Sequence, residues 1–134
     1  MLKLWMASLL VDLCVQAGDA ELAQAVLEPL LAIRDTMHRA EFLQRQGVVL
    51  LMRTTPDAIA AERCFESAIE VAREQGAKSF ELRAATSLAT LWHSQGKRNE
   101  TRDLLGGVYA WFTEGFDTPD LRRAKSLLDE WANG

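Results

Sequence analysis

A chain of 134 residues, 49% hydrophobic and 25% charged, is sized for one domain that buries its apolar surface without disulfides or metals. Three prolines, eight glycines and abundant Ala, Leu, Glu, Arg and Gln favour helix throughout. A net charge of −4 argues against a nucleic-acid surface, which needs clustered cations; Lys97-Arg98 and Arg122-Arg123-Lys125 are interleaved with acids instead.

The first predicted helix spans 2–16. Its apolar run looks at first like a secretory segment, but Asp12 interrupts it, one lysine precedes it and no small-residue cleavage site follows. It is also too short to cross a bilayer, so an amphipathic helix is expected and no membrane. Trp5 opens it, and Leu2, Leu4, Met6, Leu9, Leu10 and Leu13 surround more than one face. A helix apolar nearly all round must be covered. The cover is either a preceding repeat outside this chain or a second copy of the chain. Self-association through Leu2, Trp5, Met6 and Leu9 is favoured, because an end repeat without a polar outer face is insoluble alone.

Gly18 ends that helix, and a second over 20–34 carries the stripe Ala23/Leu27/Leu30. The third, 37–53, carries Leu43/Gly47/Leu50; Thr55 then caps a fourth over 56–75, with Pro56 in its first position. The stripe there is Ala61/Phe65/Ala68, while Glu62, Glu66 and Glu70 beside Arg63 and Arg73 read as a solvated face. The fifth helix, 79–95, carries Ala85/Ala89/Trp92 and stops at Gly96; the sixth, 98–113, carries Thr101/Leu105/Val108. In WFTEGFDTPDL, Gly115 is expected to stop that helix with Phe116 folded back onto Trp111; Thr118 caps the next, and Pro119 and Asp120 open it. Its acids, Glu114, Asp117 and Asp120, are thereby explained by chain reversal rather than catalysis. The seventh helix, 119–132, presents Leu121, Ala124, Leu127, Leu128 and Trp131 on one face. Trp92, Trp111 and Trp131 are expected in the core.

The stripes repeat. Ala23/Leu27/Leu30, Ala61/Phe65/Ala68 and Thr101/Leu105/Val108 recur at separations of 38 and 40 residues, and a second stripe precedes each, beginning with Ala7/Val11/Cys14. Small residues (Ala23, Gly47, Ala61, Ala89) facing large ones (Phe65, Leu105, Trp92) resemble the tetratricopeptide pattern, although these units are four to six residues longer. The expected fold is all-α: a single domain over 1–134 of three tetratricopeptide-like helical hairpins (about 2–35, 37–76 and 79–114) in a right-handed superhelical stack. A capping helix, 119–132, closes it; the competing reading is an ordinary bundle of six or seven helices. The tetratricopeptide resemblance places Ser8, Asp12, Glu41, Gln44, Val48, Arg83, Thr86, Thr90 and His93 along a concave groove suited to a peptide or a partner helix.

From His38 onward the resemblance is more specific. HRAEFLQRQGVVLL, SFELRAATSLATLW and WFTEGFDTPDL resemble the C-terminal tail of large bacterial signalling proteins, in which an adenylate/guanylate cyclase-like domain or another module precedes an AAA-type ATPase. The resemblance implies a cytoplasmic regulatory or assembly module, either a stand-alone relative or a fragment. Its partner would be a protein, with the nucleotide chemistry residing in other domains. Gly106-Gly107 depart from that family and predict a kink or fraying, at about 1 kcal/mol each relative to alanine.

No residue set specifies a reaction. His38 and His93 stand 55 residues apart with no metal-ligand spacing to each other or to a cysteine. No GxxxxGK[ST] loop or GxSxG elbow occurs, and Cys14 and Cys64 read as buried free thiols of a reducing compartment. Catalytic, cofactor and metal residues are therefore expected to be none. A non-catalytic interaction module is expected, with a small-molecule sensor near Arg83 and His93 or a pure homo-oligomerisation module as the alternatives.

Overall fold

The computed structural model describes residues 4–32 and 38–132. Among them are seven helices and no strand: α1 (Leu4–Gln16), α2 (Ala20–Ala32), α3 (Arg39–Met52), α4 (Ala58–Gln75), α5 (Lys78–Ser94), α6 (Arg98–Ala110) and α7 (Pro119–Ala132). Leu2 and residues 33–37, where the second predicted helix ends and the third begins, lie outside the described residues; so do the side chains of Trp5 and Ala7.

Packing is serial. Each helix rests on its successor, and α1 also touches α3, α3 touches α5, and α5 touches α7. The odd-numbered helices thus form one row, and each even-numbered helix packs against its two neighbours in the chain. The stripes supply the core: Ala23, Leu27 and Leu30 on α2, Ala61, Phe65 and Ala68 on α4, and Thr101, Leu105 and Val108 on α6 are all buried. Val11, Cys14, Phe42 and Val49 join the α2 stripe in one cluster, while Leu50 turns to a second cluster that runs from α3 to α7. α3 therefore has a buried side on each flank. Gly47 allows this, because a Cβ there would fall 2.7 Å from Phe65 Cδ1 and 2.8 Å from its Cζ.

Several element ends differ from expectation, each for a local reason. α4 begins at Ala58, and its cap is Asp57, whose carboxylate accepts the Ala60 N–H at 3.0 Å. Thr55 and Pro56 stay in the turn, since a carboxylate is the stronger cap and proline disfavours helix in the residue before it. α6 runs unbroken through Gly106 and Gly107, anchored by buried Leu105 and Val108, but ends at Ala110. Trp111 is consequently 57% exposed, and Phe112, four residues after Val108, packs on the core in its place. Phe116 meets Tyr109 with ring centroids 5.7 Å apart, whereas Trp111 meets Phe112 and carries the Lys78 ammonium over its ring. Gly115 keeps the left-handed backbone, φ +77°, but serves the turn into α7, five residues beyond the end of α6.

Candidate interaction surface

Six of the residues expected along the groove, Ser8, Asp12, Glu41, Gln44, Val48 and Arg83, lie on α1, α3 and α5, and all but Val48 bond a side chain of a neighbouring odd-numbered helix. Ser8 and Asp12 stand four apart on α1, as Glu41 and Arg45 do on α3, so the two pairs meet in register. Ser8 Oγ donates to Glu41 Oε1 at 2.7 Å, and Arg45 grips Asp12 with two hydrogen bonds, Nε to Oδ1 at 2.7 Å and Nη2 to Oδ2 at 2.9 Å. Its Nη1 lies 2.9 Å from Glu41 Oε1. Arg45 is buried, and two carboxylates with a fork of hydrogen bonds are what a buried guanidinium requires. Next along the row, Gln44 Nε2 donates to Ser87 Oγ on α5 at 3.0 Å, and Arg83 Nη2 donates to Asp120 Oδ2 on α7 at 3.1 Å. Every odd helix is thus tied to the next by polar side chains.

Between these ties lies a shallow groove of about 280 Å³, lined by Asp12, Val15, Gln44, Arg45, Val48, Arg83 and Asp120. The remaining expected residues sit elsewhere. Thr86 is buried and bonds back to the Leu82 carbonyl at 2.8 Å, and Thr90 bonds back to that of Thr86 at 2.8 Å. His93 stacks on Trp131, centroids 4.8 Å apart, beside a separate depression of about 300 Å³ shared with Arg98, Thr101, Arg102 and Glu130. A larger depression, about 820 Å³, lies between the α1–α2 turn and the end of α3. Gln24 and Gln46 border it, each with a side-chain oxygen that has no protein partner.

Sequence reasoning missed two buried charges. Arg45 was findable as the partner four residues beyond Glu41. Glu81 is buried at the α4–α5 turn, where Arg73 Nε donates to it at 2.8 Å and Lys78 Nζ at 3.0 Å. Burial alone pushes this carboxyl up, but the hydrogen bonds and charges of Arg73 and Lys78 outweigh it and hold Glu81 below the usual carboxylate range. Glu62 likewise leaves the solvated face expected of it, accepting from Trp92 Nε1 and lying 3.7 Å from Lys97 Nζ. Both cysteines are free, and burial pushes the Cys64 thiol up, away from the reactive thiolate.

A second surface lies on α1 and α2. Met6, Leu9, Leu10 and Leu13 on α1 and Leu22 on α2 are 39% to 53% exposed. Met6, Leu9, Leu10 and Leu13 are among the apolar residues of the first helix expected to need cover, with Met6 and Leu9 named for self-association; Leu22 is the addition. Among the described residues, no cluster of three or more His, Cys, Asp or Glu could hold a metal ion, and no helix is long and apolar enough to cross a membrane. Comparison of the chain with protein-family models, curated proteins and solved structures returns no match.

Proposed function

We propose that the chain is a non-catalytic protein–protein interaction module, a regulatory or assembly tail associated with an ATPase- or cyclase-type signalling protein of the bacterial cytoplasm. In this reading α1 to α6 are three tetratricopeptide-like hairpins in a right-handed superhelical stack, and α7 caps them. The observation that carries it is the odd-row groove. The groove is open and shallow, with walls of mutually paired polar side chains that hold the helices in fixed relation. A small-molecule sensor calls for an enclosed, mainly apolar cavity with a few convergent polar groups. A rigid row of helices with Val15 and Val48 between paired charges suits a peptide or a helix of another protein better.

Titration of the purified chain against the ATPase- and cyclase-type domains, read by calorimetry and by nucleotide turnover, tests this role. Saturable binding with altered turnover is expected, weakened by Val48→Lys in a variant of unchanged helical content. Absence of both binding and any effect on turnover would contradict the proposal.

A further inference from the structure

The depression of about 820 Å³ shares no residue with the odd-row groove. On α2, Glu21, Gln24 and Glu28 border it at three- and four-residue spacing, which sets them in one row on one helix face. Gln46 borders it from α3. The side-chain oxygens of Gln24 and Gln46 are both buried, and neither has a protein partner. A buried acceptor without a donor is costly, and folded proteins leave few of them. Two such acceptors, from different helices at one depression, call for a donor that enters from outside. A small turn of each terminal amide, a soft torsion, brings its oxygen to that donor.

Charge narrows what the donor is. Three carboxylates, Asp19, Glu21 and Glu28, line the depression against one guanidinium, Arg53, so the lining is net acidic. Asp19 spends Oδ1 on capping α2, accepting the Leu22 N–H at 3.0 Å, and so answers that helix's positive end. α3 ends at the depression with no basic residue in its last turn, and its terminal carbonyls add to the negative side. Water could serve the two amides, but it leaves this charge unanswered. Among the described residues, no three acids, histidines or cysteines converge on a metal ion, and the space exceeds what one ion fills. An organic cation with several N–H donors meets every condition.

We propose that this depression binds a linear polyamine, with ammonium groups at Glu21 and Glu28 and a nitrogen between them at Gln24 and Gln46. The three α2 positions stand about 4.5 and about 6 Å apart along the helix axis. A triamine with three- and four-carbon spacers sets its nitrogens at comparable intervals. Its alkylammonium groups stay charged at neutral pH, as lysine does, and they supply only donors to a lining rich in acceptors. An open, polar trough suits so hydrated a ligand, at the expense of affinity, and a Kd on the order of 0.1 to 1 mM is expected.

Calorimetric titration of the purified chain with spermidine, a linear triamine, in buffer of about physiological salt tests the site. One saturable site per chain is expected, and magnesium chloride at equal charge concentration should not displace the triamine. Glu21→Gln/Glu28→Gln should weaken binding at least tenfold, while Glu70→Gln, which removes an exposed carboxylate on α4, should leave it unchanged. Gln24→Leu/Gln46→Leu keeps every charge and removes only unpaired acceptors, so it should retain the helical circular dichroism and still bind several-fold more weakly. Absence of saturable binding overturns the proposal, as does equal displacement by magnesium, which would make the depression a diffuse counterion surface. Undiminished binding by the double leucine variant overturns the role of the two amides. Oligolysine of equal charge binding more tightly than spermidine overturns the polyamine in favour of a basic peptide. No residue of the odd-row groove is altered in these measurements, so their failure leaves the proposed interaction role standing, and the reverse also holds.

Discussion

Gly47 and Phe65 share one space: the ring occupies the volume that a side chain at position 47 would need. Gly47→Ala is expected to cost about 1–3 kcal/mol by overpacking, despite alanine's better helix propensity, and Phe65→Leu in the same chain should recover part of it. Urea denaturation of the two single variants and the double variant checks the coupling. Gly47 was legible as a small residue opposite a large one because both positions lie on core stripes. Glu81 was not, because a charge at helical spacing reads as a solvated face until its partners are in view. Its carboxyl lies below the ordinary range, so its stabilisation is complete above the unfolded value near pH ~4.3 and is lost as pH falls through the folded value. Glu81→Gln should therefore be about 1 kcal/mol less stable at neutral pH, a modest figure because Arg73 is largely exposed. The gap to wild type should close in acid, as denaturation across pH would show.

At the scale of elements, four-then-three stripes made every helix legible, because burial of one face selects that spacing whatever the turns do. Ends were less legible. Asp57 outcompetes Thr55 as a cap, and Phe112 takes the core position expected of Trp111, because both outcomes turn on a shift of one or two residues. Gly106 and Gly107 show the difference between propensity and packing. No side chain or neighbouring helix comes within 4 Å of a Cβ built at either, so nothing in the fold requires glycine there. Gly106→Ala and Gly107→Ala should each stabilise the chain by up to about 1 kcal/mol, seen as a higher denaturation midpoint. α7 depends on Trp131, which is buried, stacks on His93 and offers its carbonyl to Arg102 Nη2 at 2.9 Å. Trp131→Ala is expected to cost about 3–5 kcal/mol and to expose the α5 and α6 surfaces beneath.

For the whole molecule, composition and periodicity made the all-helical architecture legible, whereas the candidate groove was legible only as a list of positions. Which of those side chains would be spent on one another depended on contacts across 33 to 43 residues, as in Asp12–Arg45 and Gln44–Ser87, which no local spacing encodes. Those ties carry a mechanical consequence, since they couple α1, α3, α5 and α7 so that a partner lying along the row meets one surface rather than four loose helices. Amide hydrogen exchange on the chain, alone and saturated with the ATPase- or cyclase-type domains, tests the interaction role most directly. Slowed exchange in α3 and α5 around Gln44, Val48 and Arg83, with α6 unchanged, is the expected result. Identical exchange in the two states would contradict it.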